Sequence, residues 1–305
     1  MFVSVVIPSY NHRQYVVQAI ESVLDQDWPD LDLIVIDDGS KDGSPEAIRD
    51  LLESRGGFRF VARENRGLIA TLNELVSMAQ GEVLCLLASD DYLLPGSVSV
   101  RARFLVENPD CVAVFADGRQ FNVETQSMEA TLDARRRRLF SMPDPLLEML
   151  AGLHLPIHTM MVRRSVLQKI GGFDPRYRKV EDLEVQIRLF REGKVGFVDQ
   201  VVYCYRWHES NTSRVDRQCA RVDRVLCYKK LLEEVPEFAP YRRLLRYRLR
   251  RQYLLLARHL LERGGGSPDE RQVVFQGWGL AWQDPRLLWN LLRLAKTDKT
   301  LVGCQ

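Results

Sequence analysis

The hydrophobic positions of the first 120 residues alternate between two periods. Phe2–Ile7 is a β-branched apolar run stopped by Pro8, and Arg13–Leu24 follows with Val16, Val17, Ile20, Val23 and Leu24 on one helical face. Leu31–Ile36 is a second apolar run, closed by Asp37-Asp38-Gly39-Ser40. Pro45–Glu53 reads as a helix with Ser44 as its N-cap and Pro45 at the first helical position. The spacing then predicts a short strand at Phe58–Val61, a helix over Leu68–Ala79 and a buried strand at Glu82–Leu87 that ends in Ala88-Ser89-Asp90-Asp91. A helix over Pro95–Val106 and a strand at Cys111–Phe115 complete the series.

Strands that are apolar throughout, separated by helices, define an α/β fold with a mostly parallel central sheet covered by helices on both faces. Ligands in such folds bind beyond the carboxyl ends of the strands. Three polar clusters lie there: Ser9-Tyr10-Asn11, Asp37-Asp38 and Asp90-Asp91. Residues 119–145, with the run Arg135-Arg136-Arg137-Arg138 and two prolines, read as a surface excursion. Helices are expected at Leu146–Leu153 and Leu183–Arg191, strands at Thr159–Val162 and Val195–Tyr205, and a turn at Gly171–Pro175.

Charge divides the chain. Over all 305 residues the net is only +2, but residues 215–305 hold 18 basic and 10 acidic side chains, whereas the front is acidic. The expected organisation is therefore a catalytic domain over 1–214 and a basic helical C-terminal extension over 215–305, broken by Gly264-Gly265-Gly266-Ser267-Pro268. The stretch Tyr241–Leu261 is amphipathic and Arg-rich, suited either to packing, on the catalytic domain or a second subunit, or to an anionic membrane face. The acidic front argues against nucleic acid. No apolar stretch is long enough to span a membrane, and Met1–Pro8 does not read as a signal peptide. The six cysteines (85, 111, 204, 219, 227 and 304) form no CxxC pair, and Asn211-Thr212-Ser213 reads as a chance sequon. The expectation is a cytoplasmic protein, with peripheral contact at the inner membrane face left open.

The clusters each admit a plain reading and a chemical one. Adjacent carboxylates such as Asp90-Asp91 suit Mg²⁺ or Mn²⁺ on a phosphate substrate, or cap the following helix. Asp37-Asp38 suits a nucleotide ring or ribose, or simply a turn. Glu181-Asp182 opens a helix, where the macrodipole favours acids, and also offers a base for an acceptor hydroxyl. His208 is either a late metal ligand or a surface histidine, and His154 and His158 carry weaker signals still. The Arg135–Arg138 run is a solvated loop or a contact for an anionic acceptor or lipid. The absence of GxGxxG after the first strand, and of any GxxxxGK[ST], removes most support for dinucleotide and P-loop enzymes.

Taken in order, Val5–Asn11, Asp37–Gly43, Asn65-Arg66-Gly67, Ser89–Gly96, Gly171–Asp174, Glu181-Asp182-Leu183 and Arg206–Asn211 resemble glycosyltransferase family 2 over about residues 1–214. The resemblance implies a GT-A (Rossmann-like) fold and inverting transfer from a nucleoside-diphosphate sugar, most often a UDP-sugar, to a glycan or lipid-linked glycan acceptor. It implies that Pro8, Ser9, Tyr10, Asn65 and Gly67 border the nucleotide, that Asp38 accepts from the uracil ring, and that Asp90 touches the ribose. Asp91, with His208, is the implied ligand of the divalent metal, and Asp182 the implied general base. Ala88 departs from the pattern, since many members carry Asp there. Two alternatives stay open: a degenerate, non-catalytic member, and a sugar nucleotidyltransferase.

Overall fold

The computed structural model describes residues 1–209, 211 and 217–297. The expected boundary at residue 214, the sequon residues Thr212-Ser213 and Cys304 lie outside them. The chain divides into two compact units: residues 1–175 with 181–211, and residues 176–180 with the C-terminal segment.

The first unit begins with strands β1 (Val3–Ser9), β2 (Leu31–Asp37), β3 (Arg59–Ala62) and β4 (Val83–Leu86). Helices α1 (Val16–Leu24), α2 (Ser44–Arg55) and α3 (Leu68–Met78) connect them. β1 pairs parallel to both β2 and β4, and β2 to β3. Residues of both parities are buried, Val5 and Ile7 as fully as Val6 and Ile34, because helices cover both sheet faces. The single Cβ direction of each strand residue then places hydrophobic side chains above and below the sheet, the pattern that the continuous apolar runs encode.

Beyond β4 come β5 (Tyr92–Leu93), α4 (Ser97–Glu107), β6 (Cys111–Asn122), β7 (Met128–Ala130), α5 (Ala134–Arg138) and α6 (Pro145–Leu150). They are followed by β8 (Met161–Arg163), α7 (Arg164–Lys169), α8 (Glu181–Glu192) and β9 (Lys194–Trp207). The sheet order is β3-β2-β1-β4-β8-β6-β9-β5, with β7 paired to β6. β8 runs antiparallel to both β4 and β6, while β9 returns parallel to β6. The β6–β9 ladder shifts register between Cys111 and Ala113 and again across Ala116–Gly118.

Three local expectations are corrected. The N-cap of α2 is Gly43, held at φ 88°, and Ser44 is the first helical residue, its hydroxyl donating to Asp42 at 2.6 Å. Pro95 lies outside α4, which starts at Ser97 after a left-handed Gly96. Residues 119–145 are not a loose excursion: β6 continues to Asn122, and Arg135, Arg136 and Arg137 of α5 are paired within the protein. Arg135 meets Glu148 at 2.7 Å, Arg136 donates to the His154 carbonyl at 2.7 Å, and Arg137 bridges Asp117 and Asp199.

Arg101 of α4 fixes the centre of the sheet. It is fully buried and donates to the carbonyls of Ser97, Thr159 and Met160 and to the Ser97 hydroxyl. The charge is tolerated because its guanidinium donors are shared among several acceptors. Its grip fixes the 3₁₀ turn Ile157–Thr159 that precedes β8. Gly171-Gly172-Phe173 is likewise a packing motif. A Cβ on Gly172, at φ 66°, would lie 2.6 Å from Asn73 Oδ1, and the Asn73 amide holds both the N–H and the carbonyl of Phe173.

The second unit is helical: α9 (Arg217–Glu233), α10 (Arg242–Glu262), α11 (Pro268–Phe275), α12 (Trp278–Ala281) and α13 (Pro285–Thr297). α10 packs on both α9 and α13. The glycine-rich break ends α10, and Ser267 with Glu270 forms a capping box that starts α11.

Candidate active site

The site is built where β1, β2 and β4 end. Ser9 donates through its hydroxyl to Asp37 Oδ2 at 3.0 Å, and Asp37 also accepts from the Ser40 N–H and hydroxyl, so Asp37 ties two strand ends together. Asp38 is buried and accepts from the Arg63 guanidinium, from Arg66 N–H at 2.8 Å and from Gly67 N–H at 2.9 Å. It thereby folds the 63–67 loop against the β2 turn. The approach is close: a Cβ on Gly39, at φ 81°, would stand 2.7 Å from Asn65 N. Pro8 is the penultimate residue of β1, and Tyr10, just beyond it, is 49% exposed. Pro8, Ser9, Tyr10, Asp38, Asn65 and Gly67 therefore belong to neighbouring strand ends and the loop that Asp38 holds.

The two carboxylates after β4 face different ways. Asp91 points inward and is wholly buried, accepting from Tyr203 Oη at 2.6 Å and Arg206 N–H at 2.8 Å. Burial and the neighbouring Asp90 charge push the Asp91 carboxyl well above its ordinary range, against those two donors. The oxygen that faces the histidines belongs to Asp90, whose Oδ2 lies 3.3 Å from His208 Nε2 and 3.7 Å from His12 Nε2. Burial raises the Asp90 carboxyl, but the His208 hydrogen bond and the nearby His12 outweigh it and hold it below the usual range.

Around this pair, His12 Nδ1 meets Ser89 Oγ at 2.8 Å, and Tyr15 stacks on His208 with ring centres 4.9 Å apart. Arg206 donates to the Asp90 carbonyl at 2.6 Å, and its guanidinium covers Tyr92 and Tyr15. Asn211 accepts from His208 N–H. Among the described residues no group of three or more acidic, histidine or cysteine side chains is arranged to hold a metal ion. One carboxylate and one imidazole still suit Mg²⁺ or Mn²⁺, which complete their shells with water and substrate phosphate.

Asp182 is the second residue of α8. Its Oδ2 meets His154 Nε2 at 2.5 Å, and Oδ1 accepts from Leu183 N–H at 2.7 Å. Burial pushes this carboxyl up, but the His154 ring and the Leu183 amide prevail and keep it ionised below its ordinary range. The Arg136 bond to the His154 carbonyl gives α5 a part in placing that ring.

The charges of both Asp90 and Asp182 act on His158. Its ring packs against Tyr203 with centres 5.5 Å apart, and its shielded Nδ1 has no partner among the described residues. Burial lowers its pKa from 6.5 despite both carboxylates, so the folded ring stays neutral where the unfolded chain would take up a proton. Acidification through about pH 6.5 therefore favours unfolding at this residue. The stability of the wild type relative to His158→Gln is expected to increase as the pH rises from about 5 to about 7. Urea midpoints measured across that range test this, and a constant difference would exclude His158 titration.

His12, Tyr15, Tyr203 and Arg206 are site residues to which the sequence assigns no role, and His154 carries only a weak signal there. His12 directly follows the Ser9-Tyr10-Asn11 cluster, which is a usable signal. His154 is 28 residues from Asp182, and no local pattern couples them.

Residues 4–171 match the model of glycosyl transferase family 2, and the chain belongs to that family. It is 26% identical over 211 residues to the chondroitin synthase of Pasteurella multocida strain Pm70, and likewise to a hyaluronan synthase of that species. The match covers 69% of this chain but 21% of each synthase. The chain thus spans about a fifth of these relatives' length. Among solved structures, the S. aureus TarS 1–349 complex with UDP superposes with a TM-score of 0.70 at 17% identity, covering 99% of this chain and 90% of that one. The mannosyltransferase PcManGT of Pyrobaculum calidifontis, solved with GDP-Man and Mn²⁺, gives 0.59 at 18% identity, covering 99% and 87%. The fold is GT-A.

Proposed function

We propose that this chain is an inverting glycosyltransferase moving a sugar from a nucleoside-diphosphate donor, with UDP favoured, to a hydroxyl of a glycan or lipid-linked glycan acceptor. Cell-surface polysaccharide or glycolipid assembly is the setting that the synthase relatives favour. The observation that carries this reading is the Asp182 carboxylate held by His154 Nε2 at 2.5 Å, together with the Asp90–His208 pair that follows the end of β4.

The mechanism is a single displacement. Tyr10 and the Asp38-held loop with Asn65 and Gly67 receive the nucleotide, Tyr10 offering an exposed ring face and Asp38 its remaining lone pairs. Asp90 and His208 would hold Mn²⁺ or Mg²⁺, which supplies neutralising charge to the diphosphate when bound. Asp91, engaged by Tyr203 and Arg206, positions that pair rather than contacting the metal. Asp182 accepts the acceptor hydroxyl proton as that oxygen attacks the anomeric carbon. The bond to the diphosphate oxygen breaks on the opposite side, which inverts the centre and leaves the proton on Asp182.

Calorimetric titration of UDP is expected to give binding that tightens at least about tenfold with Mn²⁺ over EDTA. Incubation with UDP-sugars and a glycan acceptor should release UDP. Pyrophosphate release would replace this reading with a nucleotidyltransferase. Absence of donor turnover with every sugar would leave the degenerate member that Ala88 suggests, and preference for GDP or dTDP would overturn the uracil assignment alone.

A further inference from the structure

The second unit carries a surface that the transfer reaction does not use. The buried side of α13 is apolar, with Leu287, Leu291 and Leu294 fully covered. Its opposite side exposes Arg286, Trp289, Leu292, Arg293 and Lys296, and Trp282 stands just before it. Trp282 is 82% exposed and Trp289 62%, although large indoles in water are unfavourable and neither is needed for the leucine contact. α13 contains no acidic residue.

The neighbouring α10 continues the pattern. It holds seven arginines against one acid, Glu262. Tyr247 is half exposed and Arg250 lies over its ring, while Arg250 also reaches Gln283 beside Trp282. Between α10 and α13 runs an open groove of about 700 Å³, lined by Arg258, Leu261, Glu262, Arg286, Trp289 and Arg293. Arg258 and Arg293 make no ion pair among the described residues, and Arg286 is paired only with Asp284. No helix among those residues is long and apolar enough to cross a bilayer.

We infer that this basic, aromatic face of α10 and α13 is a docking surface for an anionic phospholipid bilayer. Arginines attract the headgroup phosphates, and indole rings beside them settle at the boundary between headgroups and acyl chains. Two further occupants are disfavoured by the same residues. A symmetric contact with a second copy would set arginine against arginine, with Glu262 of α10 as the one acid not already paired with Arg286 to relieve them. Nucleic acid could meet the charge, but Leu292 and the indoles also supply the apolar contact that a lipid interface rewards.

Flotation of the full chain with vesicles tests this independently of the glycosyl-transfer reading. Binding is expected to vesicles of phosphatidylcholine with about one-third phosphatidylglycerol, much less to phosphatidylcholine alone, and to weaken in about 0.5 M salt. Each arginine-to-alanine change is expected to lower partitioning about fivefold, so Arg258→Ala with Arg293→Ala loses about twenty-fivefold. Trp282→Phe with Trp289→Phe should abolish the blue shift of tryptophan emission that vesicles induce, while UDP binding stays unchanged in both double variants. Equal binding to neutral and anionic vesicles, or none to either, overturns the inference. So does self-association removed by the same variants, or single-stranded oligonucleotide binding tighter than vesicle binding.

Discussion

Asp182→Asn is expected to lower the rate of sugar transfer by about 10³–10⁴-fold while leaving UDP affinity within about twofold of wild type. The amide keeps the size of the side chain and can still face His154, but it cannot take the acceptor proton. The loss should therefore fall on kcat rather than on donor binding. His154→Gln should have a smaller effect, because His154 holds the carboxylate and lowers its pKa without touching substrate. Steady-state rates with parallel calorimetry decide the matter. A variant that loses UDP binding together with transfer would make Asp182 a donor-binding residue instead of a base.

Asp90→Ala and Asp91→Ala are expected to fail in opposite ways. Asp90 contributes the oxygen facing His208 and His12, so its removal should abolish the Mn²⁺ enhancement of UDP binding and lower transfer by more than about 10²-fold, with little loss of stability. Asp91 faces the interior, and its loss strands the Tyr203 hydroxyl and the Arg206 N–H. At about 1–3 kcal/mol for each buried group left without a partner, Asp91→Ala should destabilise the protein by several kcal/mol. Urea midpoints with UDP titrations separate the two. Stable Asp91→Ala protein without metal enhancement would restore Asp91 as the ligand.

The three strand-end clusters were legible because each closes a continuous apolar run, which fixes both the strand and the end at which it opens. The family resemblance drew on the same segments. What could not be read is which of two adjacent carboxylates turns inward. That choice depends on β9, more than 100 residues later, which supplies Tyr203 and Arg206 to Asp91. The His154–Asp182 pair has the same origin, since its closeness follows from tertiary packing and not from spacing. The Arg135–Arg138 run misled because its acidic partners Asp117, Glu148 and Asp199 are scattered along the chain. The antiparallel β8 was hidden too: it shows only as a short apolar run, and hydropathy carries no strand direction.

The register shifts in the β6–β9 ladder make β9 act as two rulers spliced together. The first is zeroed on the core, where Phe115 pairs with Phe197; the second is zeroed on the site, where Gly118 pairs with Tyr203 and Asn122 with Trp207. The splice around Asp199–Val201 works as a vernier. One residue added or removed there would leave the core scale untouched but turn the site scale over by one pleat. Tyr203 and Arg206 would then exchange faces with their neighbours, and the loop that delivers His208 would start from the wrong side of the sheet. Length at the splice is therefore a tuning parameter for the site, separable from the length that holds the fold.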